Sequence, residues 1–100
     1  MRDETKGPAR FRVLILGRVQ MVGFRAFAEH RAGAYGVTGY VRNLLGGEVE
    51  VVAEGDRQCL EDFLADLRRG PSGAVVRDLM VSWESVRDEF EDFSVRYGSW

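Results

Sequence analysis

Between Asp56 and Gly70 the apolar residues Leu60, Phe63, Leu64 and Leu67 fall at i, i+3, i+4 and i+7, the spacing of one face of an α-helix. Asp56 stands where an N-cap is needed. Arg68 and Arg69 occupy the last turn, where the helix dipole favours cations, and Gly70-Pro71 stops the run. A helix with one apolar face must bury it against another layer. The flanking segments supply that layer with period 2. Val49, Val51 and Ala53 share one side of Glu48–Glu54, and Leu79, Val81 and Trp83 share one side of Val75–Trp83.

The remaining segments complete the order. Phe11, Val13 and Ile15 alternate with Arg10, Arg12 and Leu14, and Leu16 follows before Gly17 breaks the run. Growing more apolar toward its end, this strand suits the middle of a sheet. Phe24, Phe27, Ala28, Ala32 and Tyr35 recur at helical spacing up to Gly33 and Gly36. Val37, Gly39 and Val41 form a second strand, Leu45-Gly46-Gly47 turns the chain, and Glu48–Glu54 returns as its hairpin partner. After an acidic connection, Glu84–Asp92, the alternation of Phe93, Val95 and Tyr97 predicts a short last strand. The order β-α-β-β-α-β, plus that short C-terminal strand, predicts an α+β, ferredoxin-like (split βαβ) sandwich with two helices on one face of a mainly antiparallel sheet. Residues 1–9, closed by Gly7-Pro8, read as a flexible N-terminal tail, and residues 10–98 as one domain.

Charge and composition narrow the function. Fourteen Lys and Arg against sixteen Asp and Glu leave a net charge of −2, whereas a sequence-independent nucleic-acid binder carries a basic excess. An RNA-reading sheet would need exposed aromatics on its central strands, and Glu48–Glu54 has none. The balance also argues against a polybasic membrane-surface module. No apolar run approaches the ~20 residues of a membrane-spanning helix, and Met1–Pro8 has no signal-peptide core. Cys59 is the one cysteine and His30 the one histidine, which rules out an internal disulfide and a His- or Cys-clustered metal centre. The expectation is a metal-independent cytoplasmic domain, by default a monomer, with neither nucleic acid nor membrane as partner.

The segment from Gly17 to Arg25 is where chemistry concentrates. It joins the first strand to the N-terminus of the first helix, where backbone N–H groups and the positive end of the dipole favour an anion. Arg25 sits in the first helical turn, against that dipole. Either an anionic ligand lies close by, gripped by the planar guanidinium, or Arg25 is a surface arginine tied to a local carboxylate. Its position alone does not choose. Asn43, ending a strand before a Gly-Gly turn, is equally open to a local hydrogen-bonding role. Alternation places it on the side of Val41 and Gly39, at the sheet end beside the loop.

The run Gly17-Arg18-Val19-Gln20-Met21-Val22-Gly23-Phe24-Arg25 resembles the acylphosphatase signature G-x-V-Q-G-V-x-F-R, with six of the seven specified positions matched. Gly39-Tyr40-Val41-Arg42-Asn43-Leu44, followed by Gly47-Glu48-Val49-Glu50, is similar to that family's second conserved stretch. Glu54-Gly55 and Gly70-Pro71 fall where its chains usually have them, and the likeness runs from Arg10 to Tyr97. The resemblance implies hydrolysis of the carboxyl–phosphate bond of acyl phosphates to a carboxylate and inorganic phosphate, without a metal or organic cofactor. It implies that Gly17, Arg18, Val19, Gln20, Met21 and Val22 cradle the phosphate, mainly through backbone N–H groups. Arg25 would bind the phosphoryl oxygens and Asn43 would position the attacking water. The partner is then a small-molecule acyl phosphate. Acetyl phosphate, carbamoyl phosphate and a bisphosphoglycerate-type acyl phosphate all share the end these residues hold. A related domain begins large hydrogenase-maturation proteins, where proline typically follows the motif's arginine. Ala26 in that place, and a 100-residue chain, favour the stand-alone enzyme.

Met21 departs from the signature's glycine. If the position needs a positive φ, methionine costs about 1–3 kcal/mol and the loop relaxes, leaving a non-catalytic phosphate-binding or regulatory module. If the glycine mainly makes room, Met21 points to solvent and activity is retained. Elsewhere the expectations are bland: a solvated face at Glu48, Glu50 and Glu54, and a surface loop at Glu84–Asp92. Cys59 reads as a packing residue, His30 as a surface or partly packed one, Trp83 as a partial core residue and Trp100 as tail.

Overall fold

The computed structural model describes residues 7–97. The elements β1 (Pro8–Arg18), α1 (Phe24–Tyr35), β2 (Thr38–Asn43), β3 (Val49–Asp56), α2 (Arg57–Arg69), β4 (Val75–Glu84) and β5 (Phe93–Arg96) follow the predicted order. The five-stranded sheet runs β4-β1-β3-β2-β5. β1 is antiparallel to both β3 and β4, β2 is antiparallel to β3, and β5 joins β2 in parallel. With α1 and α2 packed on one face, this is the ferredoxin-like arrangement.

Side-chain parity builds the core. Phe11, Val13 and Ile15 of β1, with Val49, Val51 and Ala53 of β3, are buried under the helices. α2 lays Leu60, Phe63 and Leu67 onto them, and its N-cap Asp56 accepts from the Gln58 N–H at 3.2 Å. α1 contributes Phe24 and the small Ala28 and Ala32. Phe63 ties the layers together, stacked on Phe11 at 6.2 Å and edge-on to Phe93 at 5.7 Å. Gly39 lets β2 close on β3, because a Cβ there would lie 1.9 Å from the Val52 carbonyl oxygen.

Several boundaries and environments differ from expectation. β1 starts at Pro8, since Pro8 and Ala9 pair with Asp56 and Gly55, and proline is tolerated as the first residue of a strand. Gly7 is also tied down, its carbonyl accepting from the Arg57 N–H at 2.9 Å, while residues 1–6 of the predicted tail and Trp100 fall outside the described residues. β5 ends at Arg96, so Tyr97 leaves the sheet. Trp83, by contrast, is the partial core residue expected, 36% exposed at the rim, with its ring edge-on to Phe11 and the Arg57 guanidinium 3.6 Å over it.

The larger correction concerns the helix-free face of the sheet. Glu50 and Glu54, expected to be solvated, are 2% and 6% exposed. Glu50 accepts from Arg42 at 2.6 Å, Arg12 at 2.7 Å and the Tyr40 hydroxyl at 3.2 Å. Glu54 accepts from Arg10 at 2.8 Å. Residues 85–92 are the expected surface loop, and they are also strapped across this face. The Arg87 and Asp88 N–H groups donate to Glu54 at 2.8 and 3.0 Å, Glu89 accepts from Arg10 at 2.7 Å, and Phe90 meets Tyr40 edge-on. Guanidiniums on neighbouring strands let these carboxylates stay charged while buried.

Candidate active site

The structure gathers part of the predicted site into one hollow of about 170 Å³, where Val19 and Met21 of the loop meet Arg25, Asn43 and Tyr97. That volume is below the ~300–1,000 Å³ of sites that enclose a whole organic ligand, and it suits a single small group. Gly17, Arg18, Gln20 and Val22 do not line it. β1 extends through Arg18, so the loop proper is residues 19–23. Val22 packs against the core.

Gln20 has a different task. Its side-chain amide donates to the carbonyls of Leu44 at 2.8 Å and Glu48 at 2.9 Å. This clamp ties the loop to the β2–β3 turn immediately after Asn43, so loop and Asn43 are held as one unit. The backbone N–H groups of Gln20, Met21 and Val22 donate to no other group among the described residues. α1 continues this run of free donors. Its N-cap is Gly23, with no side-chain cap and no acidic residue in the first turn. Unpaired N–H groups at a helix N-terminus form an anion site.

Arg25, in that first turn, pairs with no carboxylate among the described residues. Its guanidinium carbon instead lies 4.8 Å from the centre of the Tyr97 ring, a cation–π contact that steadies the group without neutralising it. Tyr97 is the site residue that sequence reasoning missed. The parallel register pairs Arg42 with Arg96, which sets Tyr97 alongside Asn43. The alternation of Phe93, Val95 and Tyr97 carried the correct side, but nothing local signalled the parallel neighbour.

Met21 adopts φ 62°, in the left-handed region, with its side chain 100% exposed. Both alternatives are therefore partly met: the position does need a positive φ, and methionine occupies it with its side chain directed away into solvent. The left-handed penalty of ~1–2 kcal/mol is offset in part by the ~0.4–1 kcal/mol of unfolded-chain freedom that glycine adds. Met21→Gly should then stabilise the fold by about 0.5–1 kcal/mol in urea unfolding, with little change in turnover. A stability loss would show that the exposed methionine makes contacts worth more than its strain.

The family model for acylphosphatase matches residues 11–95. The acylphosphatase of Syntrophotalea carbinolica is 48% identical over 90 residues, covering 90% of this chain and 98% of its own. The crystal structure of acylphosphatase from Bacillus subtilis is 32% identical with a TM-score of 0.86, covering 89% of this chain and 99% of that one. Full-length HypF is similar to 98% of this chain, at 28% identity and TM-score 0.81, through 13% of its own length. Sequence and fold agree over the loop, both helices and the sheet, and the chain belongs to the acylphosphatase family.

Proposed function

We propose that the chain hydrolyses the carboxyl–phosphate bond of acyl phosphates, with the free N–H groups that line the hollow, at Met21 and the start of α1, holding the phosphoryl oxygens. The run of donors beside Arg25, all without a protein partner among the described residues, carries this reading. An acyl phosphate already has a good leaving group, so catalysis reduces to positioning and charge stabilisation. Arg25 grips two phosphoryl oxygens with its planar fork. Asn43 orients the attacking water through its amide oxygen. Water oxygen bonds to phosphorus, the phosphorus–carboxylate oxygen bond breaks, and the carboxylate departs with the bonding pair while the water protons end on phosphate and solvent.

Because Met21 holds the left-handed turn, the loop geometry supports catalysis over anion binding alone. The charge stabilisation comes from Arg25 and backbone donors, so this reading requires no metal or cofactor. It also has the protein working as a cytoplasmic monomer on a free small molecule. Benzoyl phosphate hydrolysis in chelator-containing buffer is the test. Turnover should persist, and Asn43→Ala should lower kcat by about 10²–10³ with inhibition by inorganic phosphate nearly unchanged. A chelator-sensitive rate, or an Asn43→Ala rate within about threefold of wild type, would reject it.

A further inference from the structure

A second hollow, of about 460 Å³, is lined by Leu16, Gly17, Arg18, Arg77 and Asp78. It abuts the start of the phosphate loop, and its construction begins with a glycine. Leu16 pairs with Asp78, but the next residue, Gly17, pairs with Val76, which leaves Arg77 as the extra residue of a bulge. A Cβ at position 17 would lie 2.1 Å from the Val75 carbonyl oxygen and 2.9 Å from the Arg77 nitrogen. Only glycine lets β4 close there. Bulges re-aim side chains and recur next to active sites.

The charges in this hollow are not balanced. Arg10, Arg12, Arg31, Arg42, Arg57 and Arg69 all have carboxylate partners. Arg18, Arg25, Arg68, Arg77, Arg87 and Arg96 have none among the described residues, and of these Arg18 and Arg77 share this hollow. Asp78 accepts from the Leu79 N–H at 2.8 Å and forms no ion pair among the described residues. Two guanidiniums therefore stand against one carboxylate, beside an anion site, in a chain of net charge −2.

We propose that this hollow is a subsite for the acyl chain, and that Arg77 with Arg18 favours acyl phosphates ending in a second anionic group. This rests on the acyl phosphate reading above. The phosphoryl group occupies the smaller hollow, and the acyl chain extends from it along Arg18, which adjoins Val19 of that hollow and lines the larger one. Long-range attraction also favours the more highly charged substrate, but it does not depend on which arginine supplies the charge, so Arg68→Gln, outside this hollow, should leave a subsite preference unchanged.

Succinyl phosphate and butyryl phosphate have acyl chains of equal length, one ending in a carboxylate and the other in a methyl. The ratio of their kcat/KM values, compared between Arg77 variants and Arg68→Gln, isolates the subsite, and an equal fall in Arg68→Gln would overturn it. Wild type should favour succinyl phosphate by about three- to tenfold, as fits a solvent-exposed charge-assisted contact. Arg77→Gln should bring the ratio to about one and Arg77→Glu should invert it. A wild-type ratio of one, or a preference that survives Arg77→Glu, overturns the subsite while leaving the hydrolase intact. Failure of wild type to hydrolyse either substrate overturns both readings.

Discussion

Arg25→Ala should lower kcat/KM for benzoyl phosphate by about 10³–10⁵, the scale of removing an arginine from a phosphoryl-transfer site, while the fold persists. The two halves of this expectation have separate causes. Arg25 is half-buried in the first turn of α1 and has no carboxylate partner among the described residues, so removing it strands no buried charge. Its contact with Tyr97 is worth only ~0.5–1 kcal/mol at an exposed site, and alanine is a better helix former than arginine. In the reaction, by contrast, Arg25 is the one full positive charge lining the hollow, acting where charge spreads over the phosphoryl oxygens. Arg25→Lys should recover little, since an ammonium restores the charge without the planar fork. Competitive inhibition by inorganic phosphate should weaken in both variants. If Arg25→Ala retains turnover within about tenfold of wild type, the backbone donors suffice and the assigned role is wrong.

Much of the fold was legible because period reports on burial when one face is covered. The helix face of Leu60, Phe63 and Leu67 and the strand face of Phe11, Val13 and Ile15 were read from spacing alone. The site was less so. Arg25 and Asn43 were each ambiguous by position and became specific only through two separated motifs. That Arg25 has no carboxylate partner among the described residues is a tertiary fact. The Gln20 clamp lay beyond reach for the same reason, since its acceptors are the carbonyls of Leu44 and Glu48, more than twenty residues away. Glu50 and Glu54 were misjudged because alternation assigns a side chain to a face without saying what covers that face. Their cover is cross-strand arginine and an aperiodic strap, neither of which has a period to detect.

That strap sets the largest effect on stability. Glu54→Ala should destabilise the fold by about 3–5 kcal/mol, the cost of breaking a buried ion pair, out of a total of ~5–15 kcal/mol for a domain of this size. The carboxylate is the common acceptor for the Arg10 guanidinium and the N–H groups of Arg87 and Asp88. Its removal leaves Arg10 to Glu84 and Glu89 and strips the strap of its anchor. Amide exchange at Arg87 and Asp88 should accelerate before global unfolding, because the strap opens as a local unit. Acid should act in the same direction. Burial pushes the Glu54 pKa up, but the Arg87 N–H, Arg10 and the Asp88 N–H outweigh it and hold the group below its ordinary 4.5. A carboxyl whose folded pKa is depressed contributes its full stability above the unfolded value and loses it as pH falls through the folded one. Wild-type stability should thus decline on acidification below about pH 5. Glu54→Gln, less stable at neutral pH, should lose less over that interval, with Glu50 and Asp66, also held low, supplying the remaining slope. The strap leads directly into β5, with Asp92 accepting from the Gly39 N–H at 2.9 Å, and β5 delivers Tyr97 to Arg25. If Glu54→Ala unfolds within about 1 kcal/mol of wild type, the strap is held by Phe90 packing and the carboxylate is not its anchor.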